Sequence, residues 1–373
     1  MTRIEPFEIH VPDDVLADLH ERLDRTRLLA DSPRKPWSGM SADYLRELVA
    51  SWRVFDWRGR ERWLNRHPQF IADVGGTRIH FVHLRSARAG APALLVMHGW
   101  PHTFALQLEF AELLTDFDVV VPSFPGFGFS EPYEQPWSQQ RLADSMVQLM
   151  SDVLGYARFF TYGEDISANV NDLIAATYPE HVVGVIATHA HFPSRDERDA
   201  ATDPGEVRFF QRLRDDLGPH GGYGHIQGTR PDTLAVALND SPAGLLAWLT
   251  EKLVEWSDSD RDDPRDVERR ISRERILTEA TLYWVTWSVG TSFRPYYEGD
   301  DERDEIPPVE VPAAVHIQKH EGDYPESLAR AFYRDLRTFE RLDEGGHFAV
   351  AEVPAQMAER VRAFAESLTS PTG

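Results

Sequence analysis

Five short apolar runs, separated by stretches of helical character, set the fold class of this chain. Ala93–Met97 (ALLVM), Asp118–Pro122 (DVVVP), Phe159–Tyr162 (FFTY), Val182–Ile186 (VVGVI) and Val315–Ile317 (VHI) are too short for helices. Nor do they alternate as a strand with one wet face does, so they read as strands covered on both sides. Ahead of them, Thr77–Leu84 (TRIHFVHL) does alternate and reads as a half-buried strand. The spacing predicts a helix over Arg141–Leu154, stopped by Gly155, and another over Ser167–Tyr178, stopped by Pro179. Strands that alternate with helices build a parallel sheet wrapped on both faces, an α/β fold.

Outside the sheet the pattern is helical. Leu16, Leu19 and Leu23 recur at helical spacing behind Pro12, and a second helix is predicted from Ser41 through Trp52. Between them Asp31–Trp37 reads as an extended connector fixed by its prolines, so residues 1–70 form an arm without its own core. Strand signals stop again from 192 to 306, where helices are predicted over Pro231–Trp256 and Pro264–Trp287. The acidic breaks 257–263 and 298–305 read as solvated loops. A helical insertion between two parts of one core, 71–191 and 307–373, has the layout of a lid over an active site.

Composition narrows the function. With 39 Lys plus Arg against 61 Asp plus Glu, the net charge of −22 offers no attraction to phosphate backbones or anionic lipid. Nucleic acid is therefore not expected as a partner. There is no Cys, which removes disulfides, thiolate metal sites and a cysteine nucleophile. The first twenty residues lack the basic head and apolar run of a signal peptide, and no uncharged apolar stretch reaches the ~18 residues of a membrane span. A soluble, cytoplasmic protein without a membrane anchor is expected.

Three segments carry the chemistry. Phe160–Ala168 (FTYGEDISA) runs from a strand straight into a helix, with small residues, Gly163 and Ser167, two before and two after Asp165. Small-x-nucleophile-x-small is the nucleophile elbow of α/β-hydrolases, here with a carboxylate where esterases carry Ser. An Asp at the apex attacks an alkyl carbon and leaves a covalent ester, whereas Ser attacks an acyl carbon. The bland alternative is an Asp that caps the helix. Second, Leu94–Pro101 (LLVMHGWP) ends a buried strand in a Gly-containing turn, whose backbone N–H at Trp100 can join that of Ile166 as an oxyanion hole. Third, Asp343–Pro354 (DEGGHFAVAEVP) sets His347 in a glycine-rich loop late in the chain, in the order nucleophile, acid, His.

Together these segments resemble epoxide hydrolases of the microsomal type, the branch of the α/β-hydrolase fold that includes juvenile hormone epoxide hydrolases. The resemblance covers nearly the whole chain, from the arm to the Gly345–Phe348 loop. It implies two cap tyrosines that hold the epoxide oxygen: Tyr223, in Gly222–Gln227 (GYGHIQ), and Tyr296, in Ser292–Glu298 (SFRPYYE), with Tyr297 beside it as the alternative. It implies Asp165 as nucleophile, His347 as base, and a charge-relay acid that falls on Glu321, with Asp323 two residues away also open. His98, Pro101 and Tyr297 are expected against the substrate. The implied reaction converts a small-molecule epoxide and water to a vicinal diol, with no cofactor or metal. Homodimers are compatible with the family, and no feature of the chain establishes one.

The chain also departs from the family pattern. The elbow commonly reads Gly-Gly-Asp-Trp-Gly, whereas here Glu164, Ile166 and Ser167 surround Asp165, and His102 stands where Gly is common after the His-Gly-Trp-Pro turn. An elbow neighbour usually points away from the site, so Glu164 is expected to have little effect on Asp165. Two other readings compete. A haloalkane or haloacid dehalogenase shares the nucleophile, acid and His but holds its leaving halide with Trp or Asn N–H donors rather than paired phenols. A hydrolase-fold protein that only binds a ligand would need to have lost one of these roles. A serine esterase is set aside, because no Gly-x-Ser-x-Gly elbow occurs at that place.

Overall fold

Among the described residues of the computed structural model, which are 3–30, 38–299 and 306–369, nine strands form one sheet. They are β1 (Ile4–Phe7), β2 (Gln69–Val74), β3 (Thr77–Leu84), β4 (Ala93–Met97), β5 (Asp118–Pro122), β6 (Phe159–Gly163), β7 (Val182–Ala187), β8 (Val309–Ile317) and β9 (Tyr333–Arg341). Their order is β1-β2-β3-β5-β4-β6-β7-β8-β9, antiparallel from β1 to β5 and parallel from β5 to β9. This mostly parallel sheet has the α/β-hydrolase architecture that the resemblance implied.

The continuous apolar runs go where they must. Side chains alternate across a strand, so Leu95, Met97 and Val120 join one apolar cluster while Leu94, Val96, Val119 and Val121 join the other. Register then places the site. Met97 pairs with Gly163, Gly163 with Ala187 and Ala187 with Val315, so the carboxyl ends of β4, β6, β7 and β8 lie side by side. In an open α/β sheet that edge is where ligands bind.

The helices that flank the sheet include α1 (Asp13–Asp24), α2 (Ala42–Trp52) and α3 (Trp57–Leu64) in the arm. α4 (Leu108–Leu113), α5 (Gln139–Gln148) and α6 (Ile166–Thr177) follow β4, β5 and β6. Between β7 and β8 come α7 (Arg195–Ala200), α8 (Pro204–His220), α9 (Gly222–Thr229), α10 (Pro231–Asp240), α11 (Pro242–Trp256), α12 (Arg273–Thr286) and the single turn α13 (Arg294–Tyr297). α14 (Glu326–Phe332), α15 (Ala349–Glu352) and α16 (Pro354–Thr369) complete the chain.

The helix predicted over Pro231–Trp256 is broken at Ser241, whose Oγ accepts from Gly244 N–H (3.0 Å) while Pro242, which lacks an N–H, opens α11. The helix predicted from Pro264 starts as a 3₁₀ turn, and α12 begins only at Arg273 behind the Ser272 cap. The arm is not wholly helical, because β1 adds an edge strand to β2. It also grips the inserted helices: Trp52 Nε1 donates to Thr281 Oγ1 (2.9 Å), and Tyr44 OH to Glu268 (2.9 Å). The proline-rich connector Asp31–Trp37 and residues 300–305 of the second acidic break lie outside the described residues.

Candidate active site

Asp165 sits at the apex between β6 and α6 with φ 55° and ψ −123°, left-handed backbone that a residue with a Cβ adopts only under constraint. The turn is closed by small neighbours. A Cβ on Gly163 would lie 2.3 Å from the Ser167 carbonyl oxygen, and one on Gly99 would lie 2.5 Å from the Cβ of Asp165. Ser167 does more than stay small. Its Oγ donates toward Glu164 O (2.8 Å) and Met97 O (3.1 Å) and accepts from Glu164 N–H (2.9 Å), knitting β6 to β4.

The Asp165 carboxylate is held on both oxygens. Oδ1 accepts from Trp100 N–H (2.8 Å), Oδ2 lies 3.1 Å from His347 Nε2, and the Ile166 N–H adds a further bond. Burial alone would raise its pKa. The hydrogen bond and charge of His347, with the two backbone N–H groups, outweigh burial and hold the carboxyl below its ordinary value. Conversely, burial disfavours the His347 imidazolium, but Asp165 more than offsets this and the His347 pKa is raised.

His347 is positioned through its backbone. Its N–H donates to Trp256 O at the end of α11 (2.9 Å), and the Trp256 ring packs 4.9 Å from the imidazole. Buried Glu352 accepts from the N–H groups of Gly346 (2.9 Å), Phe348 (3.1 Å) and Asp258 (2.7 Å). A Cβ on Gly346 would come within 2.5 Å of Trp256 O and Asp258 N, so the close approach of loop and inserted helix requires glycine.

Above the carboxylate, Tyr223 and Tyr296 hydrogen-bond to each other with ring centroids 5.9 Å apart. Tyr223 stacks on Trp100 at 5.4 Å. Burial and then the charge of Asp165 push both phenols well above their ordinary pKa, so each carries its proton. Asp165, Ile166, Tyr223 and Tyr296 line one cavity of about 1070 Å³, together with Trp137, Phe210, Leu213 and Ile306.

Some expected residues are elsewhere. Tyr297 is 56% exposed: neighbouring helical positions diverge by about 100°, so Tyr296 turns inward and Tyr297 outward. His98 does not line the cavity either. It is buried behind the turn, stacked on Phe124 at 4.2 Å, with Nε2 accepting from Phe124 N–H (3.1 Å), and burial pushes its pKa down to about 3. Pro101 is buried and, like His98 and Tyr297, is absent from the described cavity lining.

The expected acid is also displaced. Glu321 and Asp323 both pair with Arg212 of α8 (3.2 and 2.7 Å), and His347 Nδ1 instead lies 3.0 Å from His189 Nε2. Glu321 acts on His347 only through space, favouring its charged form. His189 Nδ1 lies 3.4 Å from Asp165 N, and Gln318, at the end of β8, approaches both His189 nitrogens (2.7 and 3.0 Å). Sequence reading missed His189. The available signal was its place just beyond the β7 run, at the binding edge of the sheet.

Glu164 points away from Asp165, as anticipated. Fully buried, it lies 2.8 Å from His102 Nε2 and accepts from Tyr162 OH (2.7 Å).

Among the described residues no helix is long and apolar enough to cross a membrane. Residues 4–107 match the family model described as epoxide hydrolase N terminus, and residues 92–291 match the alpha/beta hydrolase fold. The chain is 32% identical to epoxide hydrolase 1 of Sus scrofa, across 97% of this chain and 88% of that protein. It is 28% identical to juvenile hormone epoxide hydrolase of Bombyx mori, across 96% and 86%. The crystal structure of juvenile hormone epoxide hydrolase from the silkworm Bombyx mori superposes with a TM-score of 0.90 at 27% identity, covering 99% of this chain and 95% of that one. Aspergillus niger epoxide hydrolase gives 0.84 at 27% identity, over 98% and 97%.

Proposed function

The chain belongs to the epoxide hydrolases of the α/β-hydrolase fold, and from that premise we propose how its residues divide the reaction. Asp165 is the nucleophile. One carboxylate oxygen attacks an epoxide carbon, the C–O bond of the ring breaks, and a hydroxyalkyl ester forms. The phenols of Tyr223 and Tyr296 hold the epoxide oxygen, and one of them gives it a proton as the ring opens. What supports this assignment is the carboxylate pinned by Trp100 N–H, Ile166 N–H and His347 Nε2 on the floor of a cavity that two protonated phenols share.

Esterification also readies the second step. While Asp165 is an anion it sustains the His347 imidazolium, and once it is an ester that support is gone and burial favours neutral imidazole. The released proton restores the phenol through solvent. His347 then takes a proton from water, which attacks the ester carbonyl carbon, and the oxyanion rests on the Trp100 and Ile166 N–H groups. Collapse expels the diol oxygen, protonated by His347, and frees Asp165. His189 holds Nδ1 of His347, Glu321 adds a through-space charge that favours the imidazolium, and Asp323 stays with Arg212.

The helices between β7 and β8 serve as a cap that brings the phenols over the nucleophile. A cavity of about 1070 Å³ suits epoxides well beyond styrene oxide in size. The test is a His347→Gln variant incubated with a styrene-oxide-type substrate. Mass spectrometry should find one substrate mass added to the peptide that carries Asp165; an unmodified peptide across a panel of epoxides would refute the assignment.

A further inference from the structure

The two departures from the family pattern meet in space. His102 lies two residues beyond Trp100 on the turn after β4, and Glu164 lies two residues before Ile166 on the elbow after β6. Their side chains are both 0% exposed, and Nε2 of the one is 2.8 Å from Oε1 of the other. From this geometry we propose that the His102–Glu164 pair is a positioning device that fixes the distance between the two oxyanion donors, Trp100 N–H and Ile166 N–H.

The argument starts from where the backbone stops helping. The β4–β6 ladder ends at Met97 and Gly163, after which one strand turns back and the other enters a helix. Beyond that point one donor sits on a turn and the other on the first residue of α6. Ser167 Oγ ties them on one side through Met97 O. The pair closes the other side.

Glu164 is itself anchored. Oε2 accepts from Tyr162 OH (2.7 Å), which also reaches Thr188 Oγ1 at the end of β7 (3.0 Å). Gln107 Nε2 donates to Met97 O (2.9 Å) and reaches Glu164 Oε1 (3.4 Å). On the turn side, His102 Nε2 also lies 3.2 Å from Gly99 N, so the ring packs against the backbone just before Trp100. The carboxylate is thus fixed to the sheet and the imidazole to the oxyanion turn. Other titratable groups nearby are His189, which faces His347, and Glu279, whose Oε2 accepts from Thr103 N–H (2.8 Å). The Glu164 charge also helps to sustain the His347 imidazolium.

Removing one member leaves the other buried without its partner, whereas removing both leaves neither member of the pair stranded, so the two sites should be strongly coupled. The proposal rests on the Asp165 ester mechanism, and its test separates the two. Single-turnover rates of ester formation and ester hydrolysis are measured for the parent, His102→Ala, Glu164→Ala and the double variant, with thermal midpoints recorded alongside. Each single variant is expected to slow ester hydrolysis about tenfold, with KM changed less than about twofold, because the donors lose alignment. The double variant is expected to be no slower than the slower single.

Glu164→Gln preserves the shape and the bond to Tyr162. It should keep hydrolysis near the parental rate while moving the acidic limb, where His347 must lose its proton to act as base, to lower pH. Parental hydrolysis rates in both Ala variants, a double variant whose loss is the product of the two singles, or an unmoved pH limb in Glu164→Gln would each overturn the proposal. Absence of any ester in the parent chain would instead refute the Asp165 assignment.

Discussion

Gly99→Ala concentrates the logic of this site in one methyl group. The new Cβ would stand 2.5 Å from the Asp165 Cβ and 2.7 Å from its Oδ1. Non-bonded carbons settle at about 3.5–4.0 Å, so the turn or the nucleophile must give way by about 1 Å. The nucleophile has little room to yield, because Gly163 is packed against Ser167 and Asn171 and the apex already holds a positive φ. The shift therefore falls on the neighbouring Trp100 N–H, whose 2.8 Å bond orients the carboxylate. A misplacement of about 1 Å costs on the order of a hundredfold, and loss of one oxyanion donor about 10²–10³-fold. We expect kcat/KM to fall by about 10²–10³, with overpacking lowering stability by about 1–3 kcal/mol. Quenched single turnovers with a styrene-oxide-type epoxide measure the alkylation rate, and circular dichroism reports the fold. Gly222→Ala is the control, because its Cβ would meet nothing within 4 Å. A folded Gly99→Ala enzyme that alkylates within threefold of the parent would refute the claim that this contact sets the nucleophile.

Further outcomes follow from the same geometry. Tyr223→Phe and Tyr296→Phe should each slow ester formation by about 10²–10³-fold, whereas the exposed Tyr297→Phe should leave single-turnover rates unchanged. His189→Leu takes away the partner of His347 Nδ1, and it should slow ester hydrolysis about tenfold while ester formation changes less, so that the ester builds up in rapid-quench samples. Because the folded pKa of Asp165 is lowered and that of His347 raised, their mutual stabilisation is complete between the ordinary aspartate and histidine values. It is lost as pH falls through the Asp165 pKa and as pH rises through that of His347. The difference in thermal midpoint between the parent and Asp165→Asn should follow that window, and a difference that is flat from acid to alkaline pH would contradict the pairing.

The parts of the fold that were legible in the sequence are those whose burial is complete. β4, β5 and β6 are buried along their whole length, so their runs admit no alternation and little ambiguity. β9, by contrast, is an edge strand with Arg334, Asp335, Arg337 and Glu340 along it, and most of its positions are half exposed, so its composition carries no strand signal. β1 has four residues and depends on β2 for its register. α8 is not among the predicted helices although Val207, Phe210 and Leu213 recur at helical spacing, and its role is tertiary, since Arg212 gathers the Glu321 and Asp323 carboxylates.

The site divides in the same way. Asp165 and His347 are announced by the small residues that their turns require, and the structure brings the two side chains to 3.1 Å. The partner of His347 Nδ1 is not announced. Whether His189 or Glu321 fills that place depends on where Arg212 draws the acid, and Arg212 lies more than a hundred residues away in sequence. The pairing of His102 with Glu164 is likewise visible only once β4 and β6 are side by side.

The central claim, that the carboxylate of Asp165 attacks the epoxide, has a direct isotopic test. In the proposed sequence water attacks the carbonyl carbon of the ester, so the oxygen delivered to the diol comes from Asp165 and the water oxygen stays in the protein. A single turnover with enzyme in excess, run in ¹⁸O-labelled water, should therefore give unlabelled diol and one ¹⁸O in the Asp165 peptide. Label in the diol of that first turnover, with none in the peptide, would mean that water attacks the epoxide directly and would contradict the account.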